Sequence, residues 1–557
     1  MKRNIKKVLA LLLAMLMLLS CFVACADSSD SDGTVAAASG TTDGTQAPDE
    51  SESKNESESN NENESKNESE SKNESESKNE SESKNDSESE SESESEAGSN
   101  ENIKNEAIAA TKEELGKLDY GKRTLTILAG TSFEREVSAV EGTVDAEGDT
   151  SQQLNDAVLT RNRRMEEECN LVLENIILED MLMQDRINAE AMSPTGDFQI
   201  IDYRIDDSIR RALAGNLSDW VSMGIDLDKP WWDSGTADFA LLGKVFFMCG
   251  DVTYTEEEMT YVLFFNKQMR AQYAETIPDP YQTVKDWEWT LDYFNSITQG
   301  ISYESSGDGV WDENDTYGLV TTSLLGNTLF IGSGLCYIKN DRSMERPELA
   351  LDSTMDKALL VLDTARDIFG KNNTTYISPA GEENRGLDCF RAGRAMFYSE
   401  IAIYLPRLNK NMDAEYGVLP IPKYDKAQEV YRTWAYGAGG CLSLTSAIPE
   451  ADVAMLGKLV QYYAILSAEE VKPAYYDVML TTQAVRDNES GEMLDLIFAN
   501  RVYDMGFYFS DTFGLSTLFS DAVCKNTNTF ASRYKGATKK FSNKVDQLLK
   551  DLEEKAD

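Results

Sequence analysis

The chain of 557 residues contains no histidine. Ser-His-Asp and Cys-His catalysis, histidine-held zinc and histidine-ligated haem are therefore excluded. An enzyme built from this composition would have to work with a carboxylate pair or a lysine. Asp and Glu number 98 against 53 Lys and Arg, a formal charge of -45, so carboxylates are too plentiful for any one pair to stand out. The same excess argues against nucleic acid and against a broad contact with anionic membrane, both of which need clustered cations. Of eight cysteines, Cys21 and Cys25 lie near the N-terminus. Cys169, Cys249, Cys336, Cys389, Cys441 and Cys524 are scattered with no C-x-x-C spacing, as expected of buried thiols rather than a metal site.

Several polar and aromatic residues fall where binding chemistry is expected, at the carboxyl ends of apolar runs. Tyr398, Ser399 and Glu400 follow the run 394–397; Asp202 and Tyr203 follow 198–201; Thr131 follows 123–129. Trp220, Trp231 and Trp232 sit in a loop-rich stretch, and an indole face suits the C–H face of a sugar. Adjacent tryptophans also commonly bury one ring in the core, so each of that pair has two readings. Trp434 and Tyr436 lead into the glycine-rich segment 436–440, placed to let the chain cross between two bodies. Thr131, Asp202, Trp232, Tyr398, Glu400, Trp434 and Tyr436 are the candidate ligand contacts. Trp289 reads as packing for its own helix and Arg394 as structural. In the acidic stretch 304–315, oxygen-bearing side chains fall at positions 1 (Glu304), 3 (Ser306), 5 (Asp308), 9 (Asp312) and 12 (Asp315) around Gly309. That is the spacing of an EF-hand-like calcium loop, with Asp in place of the bidentate Glu; a solvated acidic turn is the other reading.

The elements that would position these residues alternate. Strands are expected over 123–129, 171–178 and 198–201, with helices over 154–170 (Leu159, Met165 and Cys169 on the apolar side), 181–192 and 208–214. Strand–helix alternation points to βαβ units and a largely parallel sheet. Further strands are expected over 244–249, 259–266, 317–321 and 416–421, the last closed by Pro420 and Pro422. Helices follow over 289–301, 355–369, 450–466, 492–499 and 534–555.

The N-terminus reads separately. Lys2, Arg3, Lys6 and Lys7 precede an apolar run over 8–19, the pattern of a secretory signal and too short for a settled membrane span. Small residues before Cys25 resemble a lipobox, with Cys21 as the alternative lipidation site. Residues 26–106 are a Ser/Glu/Asn/Lys repeat tract with almost no apolar residue, expected to stay disordered. A flexible tract of ~80 residues spans roughly 50 Å, enough to hold a body away from a membrane.

Phe390-x-x-Gly-Arg-Ala-Met-Phe397, followed by Gly417-Val-Leu-Pro-Ile-Pro-Lys-Tyr-Asp-x-Ala-Gln428, resembles the extracellular solute-binding lipoproteins of bacterial ABC importers, in the carbohydrate-type group of Gram-positive bacteria. Asn155-Asp-Ala-Val-x-x-Arg-Asn162, Lys229-Pro-Trp-Trp232, Phe264-Phe-Asn-Lys267, Trp289-Thr-Leu-Asp292, Tyr317-Gly-Leu319 and Pro473-Ala-Tyr-Tyr476 match the same group in the same order. The resemblance implies an α/β, two-lobed periplasmic-binding-protein-like (type II) fold with hinge strands and an interlobe cleft. It divides the chain into a leader (1–25), a tether (26–106), the first part of a first lobe (107–262), the main part of a second lobe (263–415) and a hinge return with the remaining parts of both lobes (416–557), the C-terminal helix lying on the first lobe. It further implies a monomer that performs no bond chemistry, needs no cofactor beyond a structural calcium, and captures a mono- or oligosaccharide. That solute would pass to permease subunits at the outer face of the cytoplasmic membrane. A receptor for a peptide or other non-sugar solute, a surface sensor, and a tethered glycoside hydrolase remain the alternatives.

Overall fold

Residues 89–138, 152–406, 408, 412–477 and 487–554 are described by a computed structural model of the chain. Contacts divide the chain into Met1–Ser99 and Asn100–Asp557. The leader, both candidate lipidation cysteines and the tract up to residue 88 lie outside the described residues. Helix α1, Ser89–Leu115, starts inside the stretch expected to be disordered. The Glu, Lys and Ala of its sequence are good helix formers, and its later turns bury Ile108 and Thr111. The second unit thus begins some residues earlier than position 107.

In that unit, two five-stranded sheets organise the chain. The first contains β1 (Thr124–Gly130), β2 (Val172–Leu178), β3 (Ile200–Arg204), β4 (Phe247–Met248) and β13 (Gly440–Leu444), in the order β2-β1-β3-β13-β4. β1 runs parallel to β2 and β3, as expected from the βαβ pattern, while β13 enters antiparallel between β3 and β4. Helices α2 (Gln152–Cys169), α3 (Asp180–Met192) and α4 (Ile205–Ala214) make the crossovers. α2 buries Leu154, Val158, Arg161, Met165 and Cys169 at helical spacing; Val158 rather than the half-buried Leu159 takes the inward position.

The second sheet contains β5 (Tyr261–Asn266), β6 (Tyr317–Thr321), β9 (Thr375–Ile377), β10 (Ala395–Ile401) and β11 (Tyr416–Leu419), in the order β11-β5-β10-β6-β9. Here β5 is antiparallel to both neighbours, and β6 is parallel to β10 and β9. Both sheets are therefore mixed, and the chain forms two α/β lobes. β7 (Ile338–Lys339) and β8 (Glu348–Leu349) form a small separate hairpin. β10 is longer than its apolar run suggested: Tyr398, Ser399 and Glu400 lie within it, because pairing with β5 continues to Ile401. β11 stops at Leu419, immediately before Pro420.

The chain passes between the sheets through residues 251–260, from β4 to β5, and returns through residues 433–440, from β12 (Thr433–Trp434) to β13. A third passage is helical: α9 (Glu450–Leu466) continues through a π-helical turn at Ser467–Val471 into α10 (Lys472–Asp477). β12 pairs with β14 (Arg501–Val502). The first two passages lie side by side, with Thr260 bridged to Ala435 and the Tyr436 N–H donating to the Met259 carbonyl at 2.9 Å. Their contact explains the glycines. A Cβ on Gly439 would lie 3.0 Å from Glu256 Cα, and one on Gly440 would lie 2.6 Å from Thr255 Oγ1. Close approach of two backbones, rather than looseness, requires glycine there.

The C-terminal helix α13, Phe530–Glu554, does not pack as expected on the first lobe. Phe541 meets Phe513 at 4.9 Å between ring centroids and Phe530 meets Phe519 at 5.4 Å. Phe519 belongs to α12 (Leu518–Cys524), which lies on the second-lobe helices α7 (Leu325–Gly332) and α8 (Met355–Gly370). A run of phenylalanines, not the charged surface of the helix, decides its place. The six later cysteines are all unpaired thiols.

Candidate functional site

The passages between the sheets bring together the polar and aromatic groups that the sequence scatters. Trp434 is 5 % exposed, stacked on Tyr261 of β5 (5.4 Å, 7° between planes), with Phe507 at 5.1 Å and Tyr436 edge-on (5.5 Å, 85°), so its ring serves packing. Its indole N–H is buried without a hydrogen-bond partner among the described residues. Tyr436 is half-buried and lies near Arg204, whose guanidinium donates to both carboxylate oxygens of Asp206 (2.9 and 2.8 Å). Glu400 lies on β10 opposite Val262, on the sheet face that Tyr398 shares and not on that of Tyr261. It is 5 % exposed, and its Oε1 accepts the Ile401 amide at 3.0 Å. Burial pushes the Glu400 carboxyl up to about 7, with Glu383 adding repulsion. Thr131 is exposed at the end of β1, donating to Asp180 Oδ1 at 3.4 Å, and Ser132 Oγ donates to Asp180 Oδ2 at 2.5 Å.

Asp202 lies in the middle of β3, which runs past the expected end at 201 to Arg204, and it faces inward. It is fully buried, and neither of its carboxylate oxygens has a donor among the described residues. Its neighbour is the carboxyl of Glu136, from the short helix Glu134–Val137 after β1. Glu136 Oε1 accepts the amides of Tyr254 (2.6 Å) and Thr255 (2.8 Å), at the start of helix α5, Thr255–Glu258, in the first passage. Burial raises both carboxyls, Glu136 to about 7.

Two other candidates are core residues. Trp232 is 5 % exposed, and its ring lies edge-on to Trp220 at 5.3 Å. Trp231 is also buried, so both rings of the pair serve packing. Tyr398 is 1 % exposed between the rings of Phe264 and Phe390; pairing opposite Phe264 sets its side chain in the sheet's own core. Trp289, as expected, is structural, donating to the Pro420 carbonyl at 2.9 Å, and Arg394 binds the Glu313 carbonyl.

The residues of the acidic loop do not converge. Glu304 Oε1 accepts the Ser306 and Gly307 amides, Asp308 that of Val310, and Asp312 that of Asn314. Asp315, the residue that would bind bidentately, gives its two oxygens to the amides of Ser305 (2.7 Å) and Asp312 (2.9 Å). These carboxylates cap the loop's own backbone. No group of three or more Asp, Glu or Cys side chains among the described residues is arranged to hold a metal.

A buried ion network beside the junction was not apparent from the sequence. Arg501 donates to Asp233 Oδ2 (3.0 and 2.8 Å), Glu257 Oε1 (2.9 Å) and Glu256 Oε1 (3.3 Å). Lys472 on α10 also binds Glu257, and Tyr503 donates to Asp233 at 3.0 Å. Two cations thus serve Glu256 and Glu257 of α5 and tie together all three passages, and Arg135 binds Glu258. The run 256–258 was the visible signal, since three adjacent glutamates between two apolar strands demand cations from elsewhere.

No protein-family model matches the chain, and no curated protein sequence does. Solved structures do. A maltose/maltodextrin-binding domain from Bdellovibrio bacteriovorus bound to maltotriose is similar at 12 % identity and a TM-score of 0.45, over 77 % of this chain and 100 % of that one. An ABC substrate-binding protein from Listeria monocytogenes in complex with cycloalternan is similar at 13 % and 0.45, over 77 % and 99 %. A family 1 extracellular solute-binding protein from Bifidobacterium longum subsp. infantis is similar at 14 % and 0.45, over 76 % and 99 %. Likenesses this remote say nothing of what the site holds.

Glu136 and Asp202 are both sealed from solvent. No helix among the described residues is long and apolar enough to cross a membrane.

Proposed function

We propose that the chain is a membrane-anchored extracellular receptor that captures a carbohydrate between its two lobes and delivers it to an ABC transporter permease. The observation that supports this most is Tyr436, half-buried on the return passage between two α/β lobes and beside the Arg204–Asp206 pair. An aromatic face takes the C–H face of a sugar ring, while a guanidinium donates to its hydroxyls and a carboxylate accepts from them. Closure of the lobes about the passages then shields those bonds from water. Anchoring falls to a lipid on Cys25, with Cys21 as the alternative, and the repeat tract serves as the tether. No bond is broken in the solute.

The test is a thermal-shift screen of the mature chain against mono-, di- and oligosaccharides, amino acids and short peptides, with product analysis of every hit. A solute that binds the native form raises the melting temperature by mass action. A sugar hit recovered unchanged supports the reading. A shift from a peptide or amino acid alone overturns the carbohydrate assignment, and consumption of the sugar overturns the receptor role.

A further inference from the structure

We propose that Glu136 and Asp202 share a single proton, and that this proton fastens the first passage between the sheets to the first lobe. The inference stands on placement. Glu136 Oε1 is already saturated by the Tyr254 and Thr255 amides, so this carboxyl is what holds the start of α5 against the end of β1. Its other oxygen, Oε2, is buried with no hydrogen bond among the described residues, as are both oxygens of Asp202; the Thr255 hydroxyl, which accepts the Gly440 amide, also bears on Glu136. Gly440 closes the space from the return passage: a Cβ there would lie 2.9 Å from Glu136 Oε2.

The charged and titratable groups around the pair do not supply a donor. Arg161 of α2 is the nearest cation, but its donors go to the Glu136 carbonyl (2.7 Å), Asn162 Oδ1 (3.0 Å) and Ser467 Oγ (3.4 Å). Arg135 is engaged with Glu258 at 3.2 Å. Glu258 of α5 adds negative charge, and the phenols of Tyr254 and Tyr463 and the thiol of Cys441 complete the surroundings. Two anionic carboxylates side by side in that setting would repel with little screening, whereas one proton converts the contact into a charge-assisted O–H···O⁻ bond. The upward displacement of both carboxyls agrees, and the pair titrates as a unit. The native state therefore holds a proton that the unfolded chain releases above about pH 4. Folding takes up that proton, and the folding equilibrium weakens with rising pH until the pair itself ionises.

The test compares the full chain with Asp202→Asn and Glu136→Gln in denaturant titrations from pH 5 to 9. Either substitution supplies the N–H permanently, and in Glu136→Gln the new side-chain carbonyl oxygen is free to keep the two backbone amides. The wild-type folding constant is expected to fall more steeply with pH than either variant's, by up to tenfold per pH unit for one proton. At pH 8 at least one variant is expected to be the more stable protein. Infrared difference spectra at pH 7 should show a carboxylic-acid carbonyl band in the wild type that Asp202→Asn lacks. Equal pH slopes in all three proteins, or no such band, would overturn the proposal. So would failure of both variants to fold, since a permanent donor should satisfy the contact. None of these readouts involves a solute, so the receptor reading stands or falls separately.

Discussion

Arg501 offers the most direct test of how the passages are held. Replacing it by methionine keeps most of the side-chain volume and removes every donor. Its side chain is 8 % exposed and meets Asp233 and Glu256, which are 13 % and 0 % exposed. Breaking a buried ion pair by deleting one partner costs about 3–5 kcal/mol, because the other charge is left uncompensated. Lys472 still neutralises Glu257 in the variant, so the loss should stay within that range rather than grow with each severed contact. Burial already holds the Glu256 carboxyl above its ordinary value, and Arg501 is the largest influence opposing this. Without the arginine, Glu256 binds its proton more tightly when folded. The native variant then carries protons the unfolded chain lacks, so its deficit should shrink as pH falls from 8 toward 5. Denaturant titrations at pH 5, 6.5 and 8 measure both effects, and Arg501→Met/Glu256→Gln should recover part of the deficit at pH 8. A loss below about 1 kcal/mol, typical of an exposed pair, would refute the view of Arg501 as a buried pin. A deficit of the same size at every pH would refute the electrostatic account.

Three further outcomes follow from the junction. Gly440→Ala should cost about 1–3 kcal/mol in denaturant titrations, since its Cβ would stand 2.6 Å from Thr255 Oγ1 and 2.9 Å from Glu136 Oε2; an unchanged midpoint would mean the passages can separate freely. Glu400, raised from 4.5 to about 7 by burial, binds its proton more tightly in the native state, so its contribution falls as pH rises from about 4.5 to 7 and is flat above. Glu400→Gln should therefore be more stable than wild type at pH 8, by about 3 kcal/mol when fully ionised, with the advantage vanishing below pH 5. Tyr436→Ala should weaken the sugar found in the screen by about tenfold, the loss of one stacking partner, in a fluorescence titration.

What could be read beforehand follows the range of the interactions. Strand β1, helix α8 and strand β6 are legible because an apolar run or a helical stripe decides each of them locally. The end of β1 was legible too, and Thr131 follows it, whereas Asp202 stands in the middle of β3 because that strand runs on to Arg204. What could not be read is which way such a residue faces. Tyr398 lies opposite Phe264, and Leu442 of β13 lies opposite Asp202; both alignments join strands remote in sequence. A one-residue slip would have turned each side chain to the other face. Trp232 fails for a related reason, since Gly250 at φ 139° brings the chain against the Trp231 carbonyl and folds the tryptophan pair inward.

The acidic loop shows a limit of another kind. Side-chain spacing names which oxygens fall within reach of a central point, but backbone amides compete for the same oxygens, and in 304–315 they take them. The run 256–258 is the converse case. Its glutamates have too few local donors, and their burial is tolerable because Arg501, Lys472 and Arg135 arrive from three different parts of the chain. Acidic residues that satisfy themselves locally hold a loop, whereas those that cannot must recruit cations and so tie distant segments together. On that ground the passages, where the second kind gathers, are the mechanically coupled part of this protein, and a perturbation there should be felt in both lobes.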